Sequence, residues 1–260
     1  RKPVTRNEPV LKVRDLWPDG IIEPISFDVY PGEILVLAGQ LGSGTSEILG
    51  AMAGSTRTRG GKLHYNGEEI LPTRPKDSIR RGIAYSSEDR KYDGLFLGRP
   101  IMENLSAPSL ETISSNGFLN GAKELSTTTE NARKFTVDPK RLPQEAGVLS
   151  GGNQQKVALG KWLSISPNVI LVNEPTRGVD VGARAEIYQI LRELADQGAA
   201  IVVASTDIQE ITNLPDRIVS FYRGVQIGEL QLDQMTSASI LEQITDPFHE
   251  AGIAVSEKAS

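Results

Sequence analysis

Two stretches of this 260-residue chain have the residue types and spacing to hold a phosphate, and one of them lacks its cation. Residues 39–46 read G-Q-L-G-S-G-T-S and fit the template G-x-x-x-x-G-K-[ST] at every specified position except the lysine. Gly39, Gly42 and Gly44 let the backbone approach phosphate oxygens closely, so that successive N–H groups around Ser43 point at an anion. The helix that follows adds the positive end of its dipole. Ser46 keeps the hydroxyl that ligates Mg²⁺ in such loops. Thr45 stands where the lysine belongs and carries no charge. Losing that charge-assisted hydrogen bond costs about 1.5–3 kcal/mol, or roughly ten- to 150-fold in affinity. Nucleotide binding can survive such a loss; fast hydrolysis is not expected to.

The second stretch, residues 149–156, reads L-S-G-G-N-Q-Q-K. Ser150, Gly151 and Gly152 at a helix start, with Gln154 behind them, present donors to an anion. Between these sites in function lies the run V-I-L-V-N-E at 169–174, an apolar strand delivering polar residues from its C-terminal end. The first polar position is ordinarily an aspartate that holds Mg²⁺ and the second a glutamate that positions or deprotonates water. Here Asn173, a poorer partner for Mg²⁺, precedes Glu174, the candidate catalytic base. Each stretch alone has a plainer explanation: a tight turn, an N-capped surface helix, a strand end. Their order along one chain argues against coincidence.

The elements that must carry these residues are legible. Residues 25–29 alternate like a half-buried strand, Pro31-Gly32 turns the chain, and 34–38 is a continuous apolar run suited to a strand covered on both faces. The glycine loop follows at once, and 46–53 reads as a helix stopped by Gly54. Residues 60–70 form a hairpin pattern around Asn66-Gly67. From about 95 to 164 the texture is polar and Ser/Thr-rich with helix-like stretches, a helical insertion. The α/β pattern resumes with a strand at 169–172, a helix at 183–195 closed by Gly198, and a strand at 200–204. In that helix Ile187, Ile190, Leu191 and Leu194 share one face. Strands alternating with helices predict an α/β fold with a mainly parallel core sheet.

Bulk properties exclude other chemistries. The chain has no cysteine, which excludes disulfide scaffolds, cysteine-ligated zinc and thiol nucleophiles, and its two histidines, His64 and His249, leave little for a histidine metal site or triad. A formal charge of −5 argues against nucleic acid as a partner. The longest apolar runs, 34–39, 169–172 and 199–204, fall far short of the roughly 20 residues a membrane helix needs. The polar, proline-containing start, RKPVTRNEP, has the composition of a linker, and the chain reads as a segment of a longer protein. The expected division is a linker at 1–9, one nucleotide-binding domain at 10–245 and a tail at 246–260. The domain's core covers 10–94 and 165–245, with the helical part at about 95–164.

Y-S-S-E-D-R-K-Y-D-G-L from Tyr85, L-S-G-G-N-Q-Q-K from Leu149 and N-E-P-T-R-G-V-D-V-G-A from Asn173 together resemble the nucleotide-binding domain of ABC transporters. The wording is closest to the second cassette of the tandem-cassette ATPases of bacterial monosaccharide importers of the ribose, galactose and xylose type. The resemblance implies a P-loop ATPase with an antiparallel β subdomain and an inserted helical subdomain. In that family two cassettes sandwich ATP and Mg²⁺ between the P-loop of one and the signature of the other. It implies that residues 39–46 are the P-loop, Ser150, Gly151 and Gly152 the signature acting in trans with Gln154 beside them, Glu174 the catalytic carboxylate and Asp180 part of the D-loop. It also places Trp17 against adenine.

Four polar roles implied by the resemblance are altered: lysine to Thr45, the Q-loop glutamine to Glu88, aspartate to Asn173 and the switch histidine to Thr206. The expectation is therefore an asymmetric ATPase, in which this half completes the partner cassette's ATP site while its own P-loop and Mg²⁺ position, through Ser46, are degenerate. Arg90 or Lys91 is the candidate for restoring the lost charge. The implied partners are a second cassette, membrane permease subunits received by the helical part, and indirectly a solute-binding protein. The implied place is the inner face of the bacterial plasma membrane. The competing expectation is a non-catalytic regulatory or interaction module on the same fold; a self-sufficient ATPase homodimer is disfavoured because both of its sites would carry Thr45 and Asn173. Which solute is carried is not written in these residues.

Overall fold

A computed structural model describes residues 4 and 6–247. The expected linker at 1–9 and tail at 246–260 therefore lie partly outside the described residues. In chain order the first half contains β1 (Leu11–Pro18), β2 (Ile25–Val29), β3 (Ile34–Gly39), α1 (Thr45–Ala53), β4 (Thr58–Tyr65), β5 (Glu68–Ile70), α2 (Pro75–Ile79) and β6 (Ile83–Ser86). Then come α3 (Ile101–Ser106), α4 (Leu110–Ile113), β7 (Ser114–Ser115), β8 (Phe118–Leu119), α5 (Gly121–Lys134) and α6 (Gly151–Gly160). The chain closes with β9 (Val169–Asn173), α7 (Val181–Asp196), β10 (Ala200–Ser205), α8 (Ile208–Asn213), β11 (Arg217–Tyr222), β12 (Val225–Gln231) and α9 (Ser237–Thr245).

The central sheet follows from three apolar runs. Every residue of β3, β9 and β10 is buried, as continuous hydrophobic strands must be when both sheet faces are covered. Their side chains alternate between two cores. Ile34, Val36 and Ala38 face one core together with Ile170, Val172, Ile201 and Val203. Leu35 and Leu37 face the other with Val169, Leu171 and Val202. The first core takes in α7 and the helical region; the second takes in α1 and the antiparallel sheet. The strand order is β12-β11-β3-β10-β9-β6, parallel throughout except for the β11–β12 edge pair. A second sheet, β2-β1-β4-β5, is antiparallel.

This arrangement puts the C-terminal ends of β3, β6, β9 and β10 on one edge, where an open parallel sheet offers its crevice. The phosphate-loop sequence, Glu88, Asn173-Glu174 and Thr206 all leave the sheet there. Local signals account for the punctuation: Gly54 at φ 77 closes α1, and Asn66-Gly67 at φ 50 and 84 turns β4 into β5. The region expected to be helical also holds the β7–β8 hairpin, turned by Asn116-Gly117 at φ 51 and 81. The Asn-Gly pair is the same turn signal as at 66–67, but its flanking strands are two residues each and show no alternation to read.

Candidate functional site

Between β3 and α1 the loop is built for an anion and closed to side chains. A Cβ on Gly39 would lie 2.3 Å from Ser43 Oγ, and one on Gly44 would lie 2.1 Å from Ile21 Cδ1; Gly42 and Gly44 sit at φ 81 and 94. Gly44 is the N-cap of α1 and supplies no capping side chain, so the first amides of the helix are left to an external acceptor. Thr45 is 4% exposed, with its Oγ1 3.4 Å from Ser43 Oγ. Ser46 Oγ donates to Asn173 Oδ1 at 3.2 Å.

The loop forms one wall of a cleft of about 500 Å³. Glu88, Glu174 and Thr206 also line it, together with Thr176, Arg177, Gly178, Arg184 and Asp207. Glu174 holds φ 48, a left-handed conformation that costs a residue with a Cβ about 1–2 kcal/mol. Its N–H donates to Ala204 O at 2.9 Å, and its Oε1 accepts the Thr206 N–H at 2.8 Å. Burial pushes the Glu174 carboxyl upward, against the Thr206 hydrogen bonds and the Arg177 charge, which pull it down. Behind it the buried Glu210 is raised for the same reason and accepts from Ser205 Oγ at 2.5 Å and from the Thr176 hydroxyl.

Ser150 caps α6, its hydroxyl accepting the Asn153 N–H at 3.5 Å, and it is exposed. Ser150, Gly151 and Gly152 do not line the cleft of the glycine loop. Both glycines are there for close packing: a Cβ on Gly152 would lie 2.5 Å from Ala183 Cβ, and one on Gly151 would lie 3.0 Å from Arg90 Nη2. Asp180 caps α7 by accepting the Ala183 N–H at 3.0 Å. Gln154 is turned inward, 6% exposed, and its Nε2 donates to Leu149 O at 3.2 Å and to Gly147 O at 3.4 Å. Its side chain therefore shapes the turn before α6 rather than reaching outward.

Two other sequence expectations land elsewhere. Trp17 is not part of the cleft wall: its Nε1 donates to Ile21 O at 2.9 Å, and the Arg59 guanidinium lies 5.3 Å from its ring. Through Ile21, which abuts Gly44, it buttresses the glycine loop. Arg90 does not reach the cleft; it donates to Arg177 O at 2.7 Å and Gly178 O at 3.3 Å, clamping the turn before α7. Lys91 also stays outside the cleft wall.

A model of the ABC transporter family matches residues 22–177. The chain belongs to the ABC transporter ATP-binding family. The cassette is 37% identical over 94% of its length to a ribose import ATP-binding protein RbsA of Geobacillus kaustophilus, covering 50% of that protein. It is 42% identical over 94% of its length to an RbsA of Ruegeria sp., covering 48% of it. The cassette thus spans about half the length of these relatives. Solved cassettes share the fold: a nucleotide-free ATP-binding cassette of an ABC transporter aligns at TM-score 0.75 over 92% of this chain and 96% of that one, at 18% identity. The ATP-binding subunit of another ABC transporter aligns at 0.69 over 96% and 97%, at 23% identity. Among the described residues no helix is long and apolar enough to cross a membrane.

Sequence reading missed the cations of this cassette's cleft. Arg177 pairs with Glu88 at 2.6 Å and Arg184 with Asp207 at 2.6 Å. Arg177 lies within the N-E-P-T-R-G-V-D-V-G-A stretch and Arg184 just beyond it, and only Asn173, Glu174 and Asp180 of that stretch announce a role in the sequence. The charged residues of the cleft wall are then four carboxylates, Glu47, Glu88, Glu174 and Asp207, against these two guanidiniums, each already paired.

Proposed function

We propose that this cassette is the C-terminal ATP-binding half of a bacterial carbohydrate importer, asymmetric in its use of ATP. Its own nucleotide site is degenerate, and its signature serves the ATP held by a partner cassette. The observation that carries this is the charge of the cleft: the position of the P-loop cation is the uncharged Thr45, and acidic side chains outnumber basic ones around it. The relatives named as ribose import proteins support the importer reading, and the length of those relatives supports a second cassette in the same chain.

The donor set does not suit Mg²⁺. Ser46 Oγ donates to Asn173 Oδ1 and keeps its lone pairs, but Asn173 brings no negative charge to the site, and the Glu174 carboxylate is turned to Thr206. Among the described residues no group of three or more His, Asp or Glu side chains is arranged to hold a metal. The backbone of the loop still suits a phosphate, because Gly42 and Gly44 aim amides rather than side chains at it. Weak nucleotide binding without efficient turnover is what such a site does.

The trans role rests on a different block of the fold. Exposed Ser150 and the start of α6 offer a hydroxyl, free amides and a positive helix end away from this cassette's own cleft. Arg90 ties the turn after β6 to the carbonyls preceding α7, and Gly152 lets α6 start against Ala183. Signature and D-loop are thereby held as one unit that can close on a neighbour's phosphates. Permease subunits, a solute-binding protein and residence on the inner membrane face follow from the importer reading. Titration of the chain with ATP and Mg²⁺ tests it: binding weaker by about ten- to 150-fold than in Thr45→Lys is expected, and substantial turnover by the unaltered chain would sink the asymmetric reading.

A further inference from the structure

Past the end of α5 stands a residue that its backbone does not favour. Thr136 sits at φ 53 in a left-handed turn that closes the helix: its N–H donates to Arg133 O at 3.0 Å, and the Val137 N–H donates to Ala132 O at 2.8 Å. Such a position belongs to glycine by preference, and a β-branched side chain is held there only at a conformational cost. Phe135 and Val137 on either side are both buried, so the turn cannot relax without lifting one of them from the core. Thr136 itself is exposed, so burial of its methyl group does not account for its presence.

Its hydroxyl accounts for it by joining two other helices. Thr136 Oγ1 accepts from Lys156 Nζ of α6 at 2.9 Å and donates to Glu186 Oε2 of α7 at 3.2 Å, and Lys156 also pairs directly with Glu186. Lys156 is 5% exposed, and an ammonium buried this far needs an anion. The hydrogen bond from Lys156 in turn holds the Glu186 carboxyl below the usual carboxylate range. On α6, Lys156 lies one turn past Gly152; on α7, Glu186 lies one turn past Ala183, and Gly152 and Ala183 pack so closely that a Cβ on the glycine would lie 2.5 Å from Ala183 Cβ. The two helices are therefore fixed to each other at two points. One point would be a pivot; two set a direction. Ser150 caps α6 on the far side of Gly152. With Lys156 about 6 Å beyond the pivot and Ser150 about 3 Å before it, a slip of about 2 Å at the lysine moves the serine by about 1 Å.

We propose that Lys156, Glu186 and Thr136 are positioning residues for the signature serine: together they fix the direction of α6 on α7 and so the place from which Ser150 Oγ meets the partner cassette's ATP. The consequence for hydrolysis rests on the trans reading of the signature. None of the three side chains lines this cassette's own cleft, so they act through Ser150 alone.

The test is steady-state ATP hydrolysis by the full-length ATP-binding subunit assembled with its permease, read as kcat and KM, with the unfolding midpoint of each variant measured beside it. Lys156→Met is expected to lower kcat by about ten- to 100-fold, the effect of misplacing a group by about 1 Å, while KM for ATP stays within about twofold. Its midpoint is expected to stay level, because methionine fills the path of the buried stem and the half-exposed Glu186 turns to water. Lys156→Arg keeps charge and reach and is expected to recover most of the turnover. Lys156→Met combined with Glu186→Gln is expected to lose no more than Lys156→Met alone, since both break one link. Near-normal kcat in Lys156→Met overturns the proposal, and so does a loss that arginine does not recover, a loss that tracks a falling midpoint, or single effects that multiply in the double variant. A Ser150→Arg control separates the two levels: full turnover there sinks the trans reading itself, whereas an inactive Ser150→Arg beside an active Lys156→Met sinks the positioning role alone.

Discussion

Restoring one charge should restore nucleotide affinity. In Thr45→Lys the new side chain starts at the first residue of α1, under the two left-handed glycines of the loop, and extends into a cleft of about 500 Å³ that has room for it. Little is lost, because Thr45 Oγ1 makes only the 3.4 Å contact with Ser43 Oγ. The ammonium meets four carboxylates and two arginines already occupied by Glu88 and Asp207, so it is drawn into the cleft even before nucleotide arrives. A charge-assisted hydrogen bond to phosphate is worth about 1.5–3 kcal/mol, which is roughly ten- to 150-fold in Kd. Calorimetric titration with ATP at fixed ionic strength reads this directly; salt must be held constant because screening acts over about 8 Å at physiological strength. A change below about threefold, or a loss of affinity, would refute the claim that the missing cation limits binding. Adding Asn173→Asp gives Ser46 a carboxylate acceptor in place of an amide, and dependence of binding on Mg²⁺ is expected only in the double variant.

Gly152→Ala places a methyl group 2.5 Å from Ala183 Cβ, and the overpacking should cost about 1–3 kcal/mol in thermal or denaturant unfolding; an unchanged midpoint would show that α6 and α7 are not locked together. Lys161, whose ammonium is pushed down to about 8 by burial, makes stability depend on pH with a definite sign. Between about 8 and 10.5 the unfolded chain holds this proton and the folded chain does not, so its contribution rises with pH over that window. Lys161→Met should be more stable than wild type below the window by up to about 3 kcal/mol, the difference closing by its upper end. Asp93 and Tyr85, the other titratable side chains of the cavity that Lys161 lines, stay the same in both proteins, so the difference isolates Lys161. A pH-independent difference would remove the buried charge from the account.

Much of the fold was written locally. The runs at 34–38, 169–172 and 200–204 are apolar without interruption because both sheet faces are covered, and Gly54, Gly198 and Asn66-Gly67 end or turn elements through conformations other residues adopt only at a cost. The glycine loop and the Ser150 helix start were legible because short-range spacing alone defines them. What escaped depends on long-range pairing. Arg177 meets Glu88, and Arg184 meets Asp207, only after β6, β9 and β10 line up, and no local periodicity announces either pair. Gln154 reads as an outward donor beside Ser150, but one turn into α6 it lies on the inner face. The cavity at Lys161 and Trp162 is assembled from five separate segments, so neither residue carries a signal of its own.

The central claim is that this cassette's signature serves catalysis while its own carboxylate does not. ATP hydrolysis by the assembled importer with Ser150→Arg or Glu174→Gln tests it most directly. The asymmetric account predicts that Ser150→Arg lowers turnover by about 10²- to 10³-fold, the usual consequence of losing a donor to developing phosphate charge, and that Glu174→Gln leaves most of it. Loss of hydrolysis in Glu174→Gln with near-normal turnover in Ser150→Arg would contradict it.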